Sequence, residues 1–327
     1  MSTLTSHWRK FRRRILTPDV SETQLDVRGF HKKDTASQEL LETVGKSFLT
    51  GYGHAAEART PAEAAENLDR LPERFRGFAY EGAAMGFAVR DGLPVGRSRN
   101  VAEFLAGPGR HQVYISYCGI GWAMARLPKF RWPDSRGLDP LLRWLVLDGY
   151  GFHQAYFRTE RYVHQHFQDP RFPWPAEGPA AYANRAIDQG IGRALWFVGC
   201  TDVGQVTGMI GKFPESRRAD LYAGVGLAAT YAGGASEDEL NELRERAGAH
   251  RPQLAQGSAF AAEARICAGL LVPHTEAATQ VLCGTTAEKA ARITQDVRHD
   301  APDSGPLPAY EAWRQRIADE LVSIGRK

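Results

Sequence analysis

Two acids stand inside stretches that are otherwise apolar or small. Glu81 sits in Phe78-Ala79-Tyr80-Glu81-Gly82-Ala83-Ala84-Met85, and Asp148 follows Leu145-Val146-Leu147. A carboxyl carried into an apolar interior must be ion-paired, hydrogen-bonded or protonated. An arginine would neutralise it, and Arg76, Arg143, Arg185 and Arg193 are the candidates. Without one, its pKa rises and it becomes a proton donor or acceptor useful near neutral pH. Tyr150 and His153 follow Asp148 closely and are the expected hydrogen-bonding assistants. Asp188, Asp220 and the Arg217-Arg218 pair rank behind, because surface caps account for them equally well.

Other reactive constellations are weaker. His164-Gln165-His166, with His153 upstream, is the one histidine cluster. Residues two apart on a helix point to different faces, which suits one metal poorly, so a solvated loop before Asp169-Pro170-Arg171-Phe172-Pro173-Trp174-Pro175 is expected and no metal. Gly45-Lys46-Ser47 lacks the glycine loop of a phosphate-binding motif. Gly119-Ile120-Gly121-Trp122-Ala123-Met124 lacks the third glycine of a dinucleotide fingerprint, and no Gly-x-Ser-x-Gly elbow occurs. No cofactor is therefore expected. Cys118, Cys200, Cys267 and Cys283 form no Cys-x-x-Cys pair and have apolar or small neighbours. They read as free thiols in a reducing compartment, which gives a cytoplasmic expectation.

Glycine motifs would position the acids. Thr50-Gly51-Tyr52-Gly53-His54 resembles Asp148-Gly149-Tyr150-Gly151-Phe152, Glu81-Gly82-Ala83-Ala84-Met85-Gly86-Phe87 resembles Gln189-Gly190-Ile191-Gly192-Arg193-Ala194-Leu195, and Tyr117-Cys118-Gly119-Ile120-Gly121-Trp122-Ala123 resembles Tyr222-Ala223-Gly224-Val225-Gly226-Leu227-Ala228. The paired motifs lie 98, 108 and 105 residues apart, in the same order, and Gln256-Gly257-Ser258-Ala259-Phe260 opens a partial third copy. This predicts an internal duplication, residues 45–130 matching 143–233, with one helix or helical hairpin per motif. Each helical glycine costs up to about 1 kcal/mol relative to alanine, so the motifs need a reason. Glycines one or two apart would clear one strip of a helix, letting another helix or a flat apolar ligand approach. Tight packing is the first expectation. The second is a cavity wall in which Gly82 and Gly121 leave volume and Tyr80, Trp122, Tyr150, Phe152 and Trp196 supply apolar surface, with Phe87, Phe157, Phe197 and Phe260 as further aromatics beside the motifs.

The elements are predicted to be helices, giving a mainly all-α fold: a helical array or α/α barrel with glycine-rich central helices. Leu40, Leu41, Val44 and Phe48 recur at helical steps. Asp139-Pro140 is a cap and first-turn proline, Ser236 with Glu239 is a capping box, and Thr285 with Glu288 repeats it. Pro308 opens a last helix through Trp313, Ile317, Leu321 and Ile324. His111–Ser116 is the one stretch tempting as a strand, and it could equally start a helix. Residues 1–33 form a basic arm ahead of a single helical domain over 34–327.

Composition bounds the rest. In 327 residues, 43% hydrophobic, there is core enough for a folded chain, and nothing approaches 18 uninterrupted apolar residues. The net charge is +3, but residues 1–33 carry eight basic and three acidic groups, leaving the remainder at −2. Nucleic acid is therefore not an expected partner. Trp8-Arg9-Lys10-Phe11-Arg12-Arg13-Arg14-Ile15-Leu16 mixes cations with large apolar groups, and Thr17-Pro18-Asp19 ends it. The expectation is an arm packed on the domain, with weak contact of residues 8–16 with anionic lipid as the alternative.

Several blocks also resemble one bacterial family. They are Arg76-Gly77-Phe78-Ala79-Tyr80-Glu81-Gly82-Ala83-Ala84-Met85, Gly119-Ile120-Gly121-Trp122-Ala123, Asp148-Gly149-Tyr150-Gly151-Phe152-His153, Arg217 through Ala228, Gln256 through Ala262 and Tyr310-Glu311-Ala312-Trp313-Arg314. Together they are similar to a family of unknown function whose members often lie beside enediyne polyketide synthases. The resemblance implies secondary metabolism, the maturation or handling of a polyene-derived enediyne precursor, with no chemical step or catalytic residues attached. Three classes follow for a hydrophobic small-molecule partner. One is an enzyme without organic cofactor, of lyase, isomerase or cyclase type, using Glu81 and Asp148. The second is an isoprenoid cyclase, though no aspartate-rich magnesium motif is present. The third is a non-catalytic protein that shields a reactive metabolite.

Overall fold

A helix turns about 100° per residue, so positions i and i+2 lie on opposite flanks, not on one strip. That single fact organises this molecule. The computed structural model describes residues 2–93, 99–175, 179–299 and 307–324, and among them helices occur but no strand. The long helices are α1 (Ser2–Leu16), α2 (Thr35–Glu57), α3 (Glu73–Gly92), α4 (Val113–Arg126), α5 (Trp144–Phe157), α6 (Ala183–Val198), α7 (Glu215–Ala232), α8 (Arg251–Cys267) and α9 (Ala309–Ile324). Shorter helices, such as Pro61–Leu68, Val203–Lys212 and Glu237–Arg246, connect them.

From α2 to α8 each long helix packs on the next through its glycines. The first glycine of a pair meets the preceding helix and the second meets the following one. A Cβ on Gly119 would sit 2.1 Å from the Glu81 carbonyl oxygen of α3, and one on Gly121 only 1.9 Å from that of Val146 in α5. Gly149 and Gly151 meet the carbonyls of Cys118 and Ile187, Gly190 and Gly192 those of Asp148 and Leu221, and Gly224 and Gly226 those of Gln189 and Leu254, all at 1.8–2.1 Å. At the ends of the row one side suffices: Gly51 meets Ala79, and Gly257 meets Ala223. The expected shared strip is thus corrected to two flanks. Gly82 and Gly121 face neighbouring backbones and leave no cavity volume. In α3 both Gly82 and Gly86 meet α2, and Ala84 stands where the second glycine of a pair would be; the full two-flank device repeats in each of α4 to α7, so a period of one helix describes those motifs.

Adjacent members of the row run in the same direction. Along α2 and α3, Gly82 lies against Phe48, Gly86 against Tyr52 and Ala55, and the Arg90 guanidinium donates to the carbonyls of Ala55 and Ala58. The crossings accumulate until the row curls on itself. Gly77, near the start of α3, accommodates the Tyr231 hydroxyl at the end of α7, and Arg265 of α8 donates to the carbonyls of Glu73 and Arg74. The interior of the curl is the setting of the site.

The basic arm packs against this row. Arg12 donates to the carbonyls of Ala56, Glu57 and Ala58 at the end of α2, while Arg9 and Arg13 pair with Glu63 and Glu57. These guanidiniums satisfy carbonyls that a helix terminus leaves open. A strap, Val20–Thr23 and Leu25–Arg28, then returns along α2, with Thr23 against Gly45 and the Leu25 N–H donating to Glu42.

Several local expectations hold and others shift. Ser236 and Glu239 form a reciprocal capping box. Asp139 accepts the N–H groups of Leu141 and Leu142 ahead of α5. The cap expected at Thr285 falls on Thr286, which accepts from Lys289, while Thr285 is buried. His111–Ser116 is helical, starting in a short 3-10 turn and running into α4. Cys118, Cys200 and Cys283 are buried free thiols, and Cys267 is partly exposed. Asp188 and Asp220 are not surface caps. Both are buried, Asp188 paired with Arg217 and Asp220 with Arg185 and Arg314.

Candidate functional site

The glycine pairs dictate which side chains enter the curl. If the two glycines occupy the flanks, the residue between them points away, and positions i−1 and i+3 point inward about 40° apart. For the four interior pairs, at 119/121, 149/151, 190/192 and 224/226, the i+3 positions are Trp122, Phe152, Arg193 and Leu227. Together with Met85, three residues after the lone Gly82, they line one cavity of about 820 Å³ counting the open space at its mouth. The i−1 positions are Glu81, Cys118, Asp148 and Gln189, a buried polar belt on the same side.

Aromatic rings dominate the cavity wall. Trp122 is the hub, its ring centroid 4.4 Å from Phe48, 5.0 Å from Phe152, 5.5 Å from His153 and 6.0 Å from Phe157. Phe78, Met85, Tyr156, Phe197 and Tyr231 complete the apolar surface, and Pro18, Glu22 and Thr23 of the strap rim it. A smaller space, about 450 Å³ counting its open side and lined by Tyr114, Leu145 and Phe260 among others, shares Arg193, Leu227 and Tyr231 with the first. These three side chains form the partition between the two spaces.

Arg193 is buried at the centre. One nitrogen donates to Asp148 Oδ1 and another to Glu81 Oε1 at 3.4 Å. Asp148 Oδ2 accepts from Gln189 Nε2 at 2.7 Å, and the Cys118 thiol lies 3.6 Å from Oδ1. Both oxygens of Asp148 are therefore engaged, and Asp148 does not line the cavity. Glu81 does, and only its longer contact to Arg193 holds it. Burial pushes the Glu81 pKa up to about 7, with Arg193 pulling it back and the charge of Asp148 adding to the rise. Desolvation outweighs the single shared cation.

Three further polar atoms on this wall are buried without a hydrogen-bond partner: Trp122 Nε1, His153 Nδ1 and the Tyr231 hydroxyl. The Trp122 N–H lies close enough to Glu81 to favour its ionised form without meeting hydrogen-bond geometry. Burial, then the cations Arg126 and Arg158, pushes His153 down to about 3, so it is a neutral imidazole at physiological pH. Buried polar groups are ordinarily satisfied, and three orphans on one apolar wall suit a ligand with a polar end.

The residues singled out from sequence divide accordingly. Glu81, Trp122, Phe152 and His153 come together at the cavity. Asp148 is one layer behind, joined to it through Arg193. Tyr150, the residue between two glycines, points outward against Trp132 and Phe172, so neither it nor His153 assists Asp148. Tyr80 faces away from the cavity and donates to Asp69, and the Trp196 indole donates to the Gly233 carbonyl. Of the four candidate arginines, Arg193 is the partner of both acids. Phe48, Phe78, Tyr156 and Tyr231 were missed, and so was the inward i+3 register that the glycine pairs encode.

Among the described residues no group of His, Cys, Asp and Glu is arranged to hold a metal ion, and no helix is long and apolar enough to cross a membrane. His164 is exposed, and the His166 ring packs at a tilt against Phe213, with ring centroids 4.2 Å apart. Neither a curated protein nor a solved structure matches the chain significantly. A family model does: it is described as a protein of unknown function, DUF1702, it matches residues 7–321, and the chain belongs to that family.

Proposed function

We propose that the protein takes an elongated apolar, conjugated small molecule into the aromatic cavity and moves a proton on it with Glu81. The observation that carries this reading is a fully buried carboxyl facing an apolar space, with a pKa near 7 and a guanidinium behind it. A group poised there both gives and takes protons near neutrality. In its protonated form Glu81 transfers a proton to one carbon of a conjugated chain. A C–H bond forms at the expense of a π bond, and a delocalised allylic cation is left against the ring faces of the wall. The resulting carboxylate is stabilised by Arg193 and then removes a proton from another carbon. The sum is an isomerisation that consumes no co-reactant and restores the acid. Asp148 acts through Arg193 as a positioning residue. The resemblance to proteins found beside enediyne polyketide synthases supports a polyene as the ligand class, and the adjoining second space provides room for a long one.

The isoprenoid-cyclase alternative shares a carbocationic intermediate with this reading, but the sequence lacks the aspartate-rich magnesium motif such an enzyme would use. A non-catalytic shielding role is favoured by the predominance of rings in the wall. cis-Parinaric acid, a fluorescent conjugated polyene, distinguishes these readings. The proposal expects enhanced fluorescence with the wild type, deuterium incorporation into the polyene in heavy water, and loss of incorporation but not of binding in Glu81→Gln. Binding without incorporation supports shielding. Absence of binding removes the cavity as the site.

A further inference from the structure

The outward face of α1 is unlike the remaining surface. Trp8, Phe11 and Ile15 are 60%, 52% and 62% exposed. At 100° per residue they fall within an arc of about 60°, and the rings of Trp8 and Phe11 touch each other at 5.8 Å. Exposed Arg14 lies beside this stripe and exposed Lys10 further round the same helix, and α1 contains no acidic residue. The other three arginines of the helix fasten it to the body at Glu57, Glu63 and the carbonyls of residues 56–58. The helix is thus held firmly with its apolar stripe turned outward. Val20 and Val27 of the following strap are also about half exposed. Of the strap's acids, Glu22 and Asp26 are engaged by Arg28 and Lys32, which leaves the positive charge of this face in excess.

We infer that this face docks on an anionic lipid surface. A helix lying in the bilayer interface buries an apolar stripe at the headgroup boundary while flanking cations meet anionic headgroups. A protein partner would be expected to offer acidic groups and a shaped groove, whereas a bilayer requires only the stripe and the charge. The inference stands independently of what the cavity does to its ligand.

Vesicle flotation tests it. The full chain is mixed with phosphatidylcholine vesicles, or with vesicles containing about one-third phosphatidylserine. The expected result is flotation with the anionic vesicles only, weakened by high salt as surface charges are screened. Phe11→Ser with Ile15→Ser, and separately Lys10→Glu with Arg14→Glu, should each lower the bound fraction by about tenfold or more while the melting transition and cis-parinaric acid fluorescence stay as in the wild type. Equal sedimentation of wild type and variants, or flotation unchanged by both pairs of substitutions, overturns the inference. So does a wild-type dimer in solution that Phe11→Ser with Ile15→Ser converts to monomer without any vesicle binding, since the stripe would then be a self-association surface.

Discussion

Arg193 carries two carboxylates that are not equivalent. Asp148 has a short charged contact and a Gln189 amide; Glu81 has one long contact and an exposed edge toward the cavity. Removing the shared cation leaves both acids buried without compensation, which costs roughly 3–5 kcal/mol. Arg193→Met should therefore destabilise the fold by about that amount, measurable by denaturant unfolding, and a loss below about 1 kcal/mol would mean that the acids find other partners. Asp148→Asn should cost about 2–3 kcal/mol, because it removes the anion that accepts from the guanidinium. Glu81→Gln should cost less than about 1 kcal/mol at pH 6, where Glu81 is already largely protonated. An ordering with Glu81→Gln the more damaging would contradict the roles assigned here. The sequence named both acids and included Arg193 among their partners. It could not separate their roles, because that depends on which oxygens a neighbouring helix satisfies.

The glycine pairs act at the level of the element. A Cβ at Gly190 would lie 1.8 Å from the Asp148 carbonyl oxygen, which belongs to the backbone of α5 and cannot rotate away. Gly190→Ala should force α5 and α6 apart, open the polar belt at Asp148 and lower stability by at least about 3 kcal/mol. Gly208 lies in the helix Val203–Lys212 with no neighbour near its added Cβ and no left-handed backbone. Gly208→Ala should therefore stabilise by about 0.5–1 kcal/mol through helix propensity. Equal effects of the two substitutions would remove close backbone contact as the reason for the pairs. The helical nature of the chain, the last helix and the Ser236 box were legible because they depend on local periodicity and capping. The role of Tyr150 was not, since placing it between two glycines looked like a cavity position until the 200° separation of the pair assigned it outward. Applied in advance to the four interior pairs, the same angle selects Trp122, Phe152, Arg193 and Leu227 from the sequence. Phe48, on the end helix, and Tyr231, brought in by closure of the row, depend on how the helices curl and have no such local signature.

The whole molecule encloses ionisable groups whose shifts oppose one another. Burial raises Glu81 to about 7 and Asp188 to about 6, whereas it lowers His153 to about 3 and His274 to about 4. A carboxyl with a raised folded pKa binds more protons in the folded state, so its contribution is fully present below about pH 4 and is lost as pH climbs through its folded value. A histidine with a lowered folded pKa contributes above about pH 6.5 and loses that contribution as pH falls toward its folded value. Between about pH 4.5 and 6.5 the two slopes run against each other and flatten the stability profile, so single substitutions are needed to reveal them. Glu81→Gln removes a group that penalises the fold at high pH. Its melting temperature relative to wild type should rise by a few degrees between pH 5 and pH 8. His153→Asn removes a group that penalises the fold in acid, so its difference from wild type should become more favourable from pH 7.5 down to pH 5. The two trends have opposite sign, and calorimetry at a handful of pH values separates them. If the Glu81→Gln difference stays constant across the range, the carboxyl is ionised throughout, and Arg193 holds it as a structural anion with no proton to exchange.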